Sequence, residues 1–162
     1  GSIEGISIFD GVNIKNFSSN YGINNASVTC LKFDNNNVAW FGQAGYGLSL
    51  FDGYNFKNIF ENTKYSNATI NSILNHNDST ILSTNDGLLI LQSGSIDALK
   101  FQSQTFSNEI TCSLVDRNNR KWFGTKNGLF YIENGKCNLI DFKNDKCNFR
   151  IRCITQDREG KI

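Results

Sequence analysis

The chain has 162 residues, 39% of them hydrophobic and 19% charged, with a formal net charge of +1. That length allows one ordinary domain with a real core, and acids and bases scattered singly exclude a nucleic-acid footprint or a polybasic membrane anchor. No apolar run approaches the roughly 20 residues of a membrane span, and no n-region followed by an h-region marks a signal peptide. Methionine is absent, so Gly1 is not expected to be a natural start and the chain is expected to be a piece of a longer protein.

Proline is also absent and asparagine occurs 24 times, while Phe, Ile, Leu and Val fall in short bursts between Asn/Asp/Gly clusters. No helix-length segment shows 3.6-residue periodicity, so short strands are expected throughout. In chain order, Gly5-Ile6 opens a strand closed by "IFDG" (8–11). "VTCLKFD" from Val28 is a second, and an Asp/Asn turn leads from it to "VAWFG". A glycine corner then leads to "GLSLFDG", and Asp52-Gly53 turns the chain into "YNFKNI". "INSILNH" from Ile70, "ITCSLVD" from Ile110 and "IRCITQD" from Ile151 repeat "VTCLKFD". Gly5-Ile6, Gly87-Leu88 and Gly128-Leu129 open strands equivalent to the one at Gly47-Leu48, and "LQSG" (91–94) and "YIENG" (131–135) end two of them in the same tight turn. Asp, Asn and Gly suit those corners because they tolerate positive φ or bond their own backbone.

The copies keep one phase, with small offsets of one residue as turn-length variation would produce. Trp40-Phe41-Gly42 returns as Trp122-Phe123-Gly124, and Ile81-Leu82-Ser83 stands halfway between as a degenerate copy. Units of 41 residues run 1–41, 42–82, 83–123 and 124–162, and Lys161-Ile162 falls where Trp-Phe is expected next. Four short antiparallel strands, A to D, in a repeat of about 40 residues are the arithmetic of a β-propeller blade. The fold class expected is therefore all-β, a partial propeller of three whole blades (A–D), a leading C–D half and a trailing A–B half. The two halves allow a composite blade, and a closed four-blade ring, a two-chain eight-blade ring and an open arc all satisfy the phase. Self-association, or completion by the remaining blades of the same ring, is the expectation.

Taken together, "DRNNRKWFGTKNGL" (116–129), "DNNNVAWFGQAGYGLSLFDG" (34–53), "DREGKI" (157–162) and the lead-in Gly22-Ile23 resemble the two-component regulator propeller repeat. The third copy departs from the pattern, with His76 for the Asp, Ile81 for the Trp and Ser83 for the Gly. The resemblance implies a sensor rather than a reaction: an extracytoplasmic region of a histidine kinase, often a hybrid one detecting oligosaccharides. It also implies a ring that is usually seven-bladed, followed by a small β-sandwich, a membrane helix and a cytoplasmic kinase. The expected function is non-catalytic ligand binding in a signalling receptor, periplasmic or at the cell surface, with a small molecule or oligosaccharide as ligand. No cofactor, nucleic acid or membrane insertion by this segment is expected. The alternatives are an extracellular interaction scaffold with no kinase and, further off, a propeller enzyme such as a lyase or glycosidase.

The conspicuous residues recur in phase, which argues for structure. Trp40 and Trp122 are expected to pack between blades rather than to serve as a sugar platform. Cys30, Cys112 and Cys153 share one strand-A position, with Ser72 in the fourth copy, which implies a small buried slot. No C-x-x-C occurs, so zinc is not expected. Cys137 and Cys147 are read as flanking a strand D that holds them too far apart for a disulfide. Asp34, Asp116 and Asp157 are expected to cap backbone N–H groups at the A–B turn, and His76, the lone histidine, to be a turn residue. A binding site is expected where the repeat varies, in the D–A and B–C loops of one face. The candidates are Tyr21, Asn24, Asn25, Tyr46, Asn67, Asn85, Asp86, Asn108, Lys126 and Asn127, since amide and aromatic side chains suit carbohydrate.

Overall fold

A computed structural model describes residues 5–17, 26–76, 78–99, 107–142 and 149–162. Among these the chain is all-β: β1 (Ile6–Phe9), β2 (Ile14–Phe17), β3 (Val28–Phe33), β4 (Ala39–Gln43), β5 (Gly47–Phe51), β6 (Phe56–Asn58), β7 (Ile70–His76), β8 (Ser79–Thr84), β9 (Gly87–Gln92), β10 (Ser95–Leu99), β11 (Ile110–Val115), β12 (Lys121–Thr125), β13 (Gly128–Glu133) and β14 (Lys136–Leu139). They form a two-stranded sheet, β1-β2, and three four-stranded sheets, β3-β4-β5-β6, β7-β8-β9-β10 and β11-β12-β13-β14. Each is a meander of sequence neighbours, so the expected A–D blades and the leading C–D half are present as propeller blades. The chain divides into two compact units, Gly1–Ile73 and Leu74–Ile162, with the boundary inside β7.

The trailing A–B half appears only in part. Asp157 forms the A–B turn, its amide reaching Lys161 O at 2.9 Å, but residues 149–162 carry no ladder strand. A ladder needs a paired strand B, of which Lys161 and Ile162 are the only residues in this sequence. Cys137 is a second correction: it lies inside β14, opposite Ile132, rather than beside the strand. Cys147 lies outside the described residues.

Turn chemistry explains the corners. The loop between β1 and β2 is closed by Asp10 Oδ1, which accepts from the amides of Val12 (2.9 Å) and Asn13 (2.7 Å). Asp52 repeats this between β5 and β6 with Tyr54 (2.9 Å) and Asn55 (2.8 Å). Those amides hold both carboxyl groups below the ordinary carboxylate value. The other two C–D corners are two-residue hairpins, Ser93-Gly94 and Asn134-Gly135, with φ of 49°, 81°, 50° and 75°. Positive φ at both central residues matches the right-handed twist of the flanking strands.

Each unit has its own core. In Gly1–Ile73, Ile6, Ala39, Phe41 and Phe51 pack with Ile8, Phe17, Val28 and Phe56. The Phe51 and Phe56 rings stack at 4.3 Å between centroids, and Phe17 meets each of them at 5.3 Å. In Leu74–Ile162 the core is Leu74, Ile81, Leu88, Ile110, Phe123 and Phe130. Ile6 and Ile8, Leu88 and Ile90, and Phe130 and Ile132 are spaced two apart, so each pair lies on one face of its sheet.

Successive strands A are latched by threonines the sequence did not flag. The β3–β4 and β11–β12 ladders both slip by one residue, between Val28 and Cys30 and between Ile110 and Cys112. The extra residues are Thr29 and Thr111, and such a bulge re-aims a side chain. Their hydroxyls donate to the carbonyls of Ile70 and Ile151, 41 and 40 residues on. The repeat length is thus written into hydrogen bonds as well as sequence.

Candidate functional site

The A–B corner consumes the residues that look most chemical. Asp116 is buried, and its Oδ1 accepts from the amides of Asn118 and Arg120, both at 2.9 Å. Its Oδ2 accepts from Arg120 Nε at 2.6 Å and Trp122 Nε1 at 2.8 Å. Burial alone would raise its pKa, but these donors outweigh it and hold the carboxyl below its ordinary value. Asp34 repeats the pattern with the amides of Asn36 (2.8 Å) and Val38 (3.0 Å) and with Trp40 Nε1 (3.1 Å). Asp157 repeats the backbone half with Glu159 and Lys161. Asp and Trp therefore act as one clamp, which explains why the third copy loses both together.

Trp122 is 6% exposed, 4.7 Å from the Tyr131 ring, with the Arg120 guanidinium 5.2 Å from its own ring. Its ring contacts with Tyr131 and Arg120 lie within its own blade, where packing between blades was expected. Phe123 and Phe41, one residue on, face the neighbouring strands of the two cores.

The cysteine slot is tighter and less uniform than expected. Cys30 and Cys112 are half-buried, and Cys153 is exposed. The Cys30 thiol points at Ile70 O (3.6 Å), and burial pushes it up to about 11 against the lowering effect of Thr29 and Gly42. Cys153 has no further strand A against it among the described residues, which accounts for its exposure. The four described cysteines are free, and no group of three His, Cys, Asp or Glu suited to a metal occurs among the described residues. His76 ends β7, and burial, then the Lys121 charge, lowers its pKa.

The loops of unit Gly1–Ile73 build a groove. Gly47 N donates to Ala68 O (2.8 Å) and Gly45 N to Thr69 Oγ1 (2.9 Å), tying the β4–β5 corner to the end of the β6–β7 loop. Asn58 locks the third side: its Nδ2 donates to Tyr46 O (3.0 Å) and its Oδ1 accepts from Phe60 N (2.8 Å). The Phe60 ring is fully buried against Gly47, where an added Cβ would sit 2.8 Å from it. This frame encloses an open groove of about 650 Å³, lined by Tyr46, Phe56, Lys57, Glu61, Asn62 and Asn67, with Asn58 and Ser66 completing the wall. Tyr46 is exposed, and the exposed Asn62 and Asn67 amides make no hydrogen bond among the described residues. The groove therefore offers a ring face, free amides, a hydroxyl and one charge of each sign.

Two expected residues, Tyr46 and Asn67, meet in this groove. The rest of its lining was not anticipated, although the loop sequence "ENTKYSN" (61–67) carried the same amide-and-hydroxyl signal. Lys126 and Asn127 line a second cleft of about 470 Å³ in Leu74–Ile162, with Ser107 and Arg150. There Asn127 Oδ1 is already committed to Ser107 N (2.5 Å) and Thr125 Oγ1 (3.1 Å). Glu109 pairs with Arg150 (2.7 Å) and, more loosely, Lys126 (3.8 Å). Asn85, Asp86 and Asn108 are exposed around the β8–β9 corner, where Gly87 N donates to Asn108 O (2.7 Å) and Asp86 N to Thr84 Oγ1 (2.9 Å). Tyr21, Asn24 and Asn25 lie outside the described residues.

No protein-family model and no curated protein matches the chain. Solved structures do. The extracellular domain of BT4673 from B. thetaiotaomicron, described as a one component or hybrid two component system, matches with a TM-score of 0.70 at 18–19% identity over 83% of this chain. This chain spans only 18% of that one's length. The extracellular domain of BT3049 from the same organism, described as a hybrid two component system, matches over 98% of this chain and 31% of its own, with a TM-score of 0.51 at 16% identity. A virginiamycin B lyase from Staphylococcus aureus matches with a TM-score of 0.69 at 12% identity, over 88% of this chain and 50% of its own. At such identities the likeness is one of fold. The chain is a segment of β-propeller built from four-stranded blades.

Proposed function

We propose that this segment is the non-catalytic, ligand-binding part of an extracytoplasmic sensor in a two-component signalling receptor, and that it takes carbohydrate in the Tyr46–Asn67 groove. The observation that carries the reading is that groove: an open aromatic face beside uncommitted amides, on a loop frame held rigid by Asn58 and Phe60. A sugar ring stacks its apolar face on an aromatic and shares its hydroxyls with amides that donate and accept together. The fold likeness to extracellular domains of two component systems supports the sensor role and the extracytoplasmic placement. The likeness to a lyase supports the fold only; the residues conspicuous enough for catalysis are spent on the corners. No helix among the described residues is long and apolar enough to cross a membrane.

A panel of oligosaccharides screened by thermal shift and then calorimetry tests this. At least one is expected to bind. Tyr46→Ala is expected to weaken it tenfold or more, about 1.4 kcal/mol, and Asn67→Ala several-fold. Absence of binding across the panel, or binding indifferent to Tyr46→Ala, would sink the carbohydrate reading and leave the fold untouched.

A further inference from the structure

The cleft of about 470 Å³ lined by Ser107, Lys126, Asn127 and Arg150 has its acceptors committed and its donors to spare. Asn127 Oδ1 accepts from Ser107 N (2.5 Å) and Thr125 Oγ1 (3.1 Å), and Ser107 Oγ accepts from Glu109 N (3.1 Å). Glu109 meets Arg150 Nη2 through Oε1 at 2.7 Å and stands 3.8 Å from Lys126 Nζ through Oε2. The second distance is too long for a hydrogen bond, and a guanidinium has five N–H donors to place. The Asn127 Nδ2 group and the Ser107 hydroxyl proton are donated to nothing among the described residues. Two cations share one carboxylate, which leaves one positive charge unbalanced.

The backbone frame does not require these charges. Lys126 N donates to Glu109 O (3.1 Å) just as Ala44 N donates to Ser27 O (3.0 Å), so an uncharged pair makes the same corner. The residue before strand A is Ser27, Thr69, Glu109 and Arg150 in successive copies. The turn itself also recurs. Asn127 N and Asp86 N each bond the threonine two residues back, at 3.1 and 2.9 Å, and each threonine donates to the carbonyl of the glycine that follows. Where this copy has Lys126 and Asn127, the preceding one has Asn85 and Asp86. The same corner thus carries an acid in one blade and a base in the next. Exposed ion pairs contribute little to stability, so folding alone does not account for the change of sign.

We propose that this cleft binds an oxyanion, a carboxylate, sulfate or phosphate group presented by a ligand. Such a group offers acceptors only, which matches a wall with only donors to spare. The edge of the Arg150 guanidinium turned away from Glu109 takes two of its oxygens in a fork, and Lys126 supplies a second charge. Asn127 Nδ2 adds a neutral donor whose direction is fixed by the two bonds to its carbonyl oxygen. Glu109 orients Arg150 and, as a like charge, weakens the hold on the anion.

The test titrates the full chain with sodium sulfate, sodium phosphate and sodium glucuronate at an ionic strength held constant with chloride, and reads amide and side-chain shifts by NMR. Glucose is the neutral control. At least one anion is expected to shift Lys126, Asn127 and Arg150 along one saturating curve, with the Asn85–Asp86 corner unmoved and glucose inert. Lys126→Ala and Arg150→Thr, both at exposed positions, should each weaken binding at least fivefold with the circular dichroism spectrum unchanged. Arg150→Lys should lose part of the binding, because the charge stays and the fork goes. Glu109→Gln should tighten it severalfold, a gain that a purely structural ion pair does not give. Preference for sulfate and phosphate assigns a tetrahedral anion, and preference for glucuronate a carboxylate. The proposal is overturned if no anion gives a saturating shift at these residues, if glucose matches glucuronate there, or if the shifts survive both Lys126→Ala and Arg150→Thr. Sulfate and phosphate carry no sugar ring and the cleft lies in Leu74–Ile162, so this result and the carbohydrate reading of the Tyr46 groove fail separately.

Discussion

Replacing Asp116 by Ala is expected to destabilise the protein by about 2–4 kcal/mol, because four donors lose one buried acceptor group. For a chain of this size that corresponds to a Tm fall of roughly 5–15 °C. Urea unfolding followed by circular dichroism measures it. Asp34→Ala should cost less, since its carboxylate is only half-buried and Val38 stands where Arg120 supplies a charged donor at the other corner. Trp122→Phe, which keeps a ring and removes the indole N–H, should cost less than Asp116→Ala. The double variant should cost clearly less than the sum, since the two side chains form one clamp.

The pH dependence of this loss has a definite sign. The folded Asp116 carboxyl sits below its ordinary value, so its contribution is complete above the unfolded value of about 3.9. It is lost as pH falls through the lower, folded value. The stability gap between the native chain and Asp116→Ala should therefore be flat from neutral pH down to about 5 and close below about 4. A gap that instead grew on acidification would contradict the hydrogen-bond account of the corner.

Gly124→Ala is the second large effect, expected to cost about 1–3 kcal/mol by overpacking. A Cβ there would lie 2.6 Å from Cys112 Sγ and from Ile151 Cγ2. Cys112→Ala in the same chain should recover part of the loss and leave the part owed to Ile151. Gly42→Ala should be harder to rescue. Its Cβ meets Cys30 Sγ at 2.4 Å but also the Ile70 carbonyl oxygen at 2.8 Å, which is backbone and cannot be trimmed. Thermal unfolding of the two glycine variants with and without the cysteine change separates these contributions. Equal rescue at both sites would show that the carbonyl gives way.

The same glycine sites show what the sequence alone reveals. Trp-Phe-Gly in two copies gives the blade period directly, and the third copy carries the logic by its substitutions. Where Cys and Gly face each other in two blades, Ser72 and Ser83 replace both positions, a smaller atom on one strand allowing a larger residue on the other. The Ser83 hydroxyl pays for this by finding no partner among the described residues. Strand order, turn positions and the Asp caps were all legible, because each depends on residues within one blade. What stayed hidden depends on the third dimension. Thr29 and Thr111 read as ordinary strand residues until the bulge turns their hydroxyls toward a strand 40 residues away. The groove was half legible: Tyr46 and Asn67 fall in loops that vary between repeats. Phe56 and Lys57 lie in the short outer strand β6, and only the folding back of residues 59–69 brings them beside the loops. Lys126 and Asn127 also fall in a corner that varies between repeats, and there the fold binds the Asn127 carbonyl to Ser107 N and Thr125 Oγ1.

The central claim is that the repeated corners are structure and the variable loops around Tyr46 are the binding surface. Amide hydrogen exchange, with and without an oligosaccharide selected from the panel, tests it most directly. The account predicts slowed exchange at residues 44–47 and 57–67, with the Asp34–Trp40 and Asp116–Trp122 corners unchanged. Protection at those corners with the loops unaffected would contradict it.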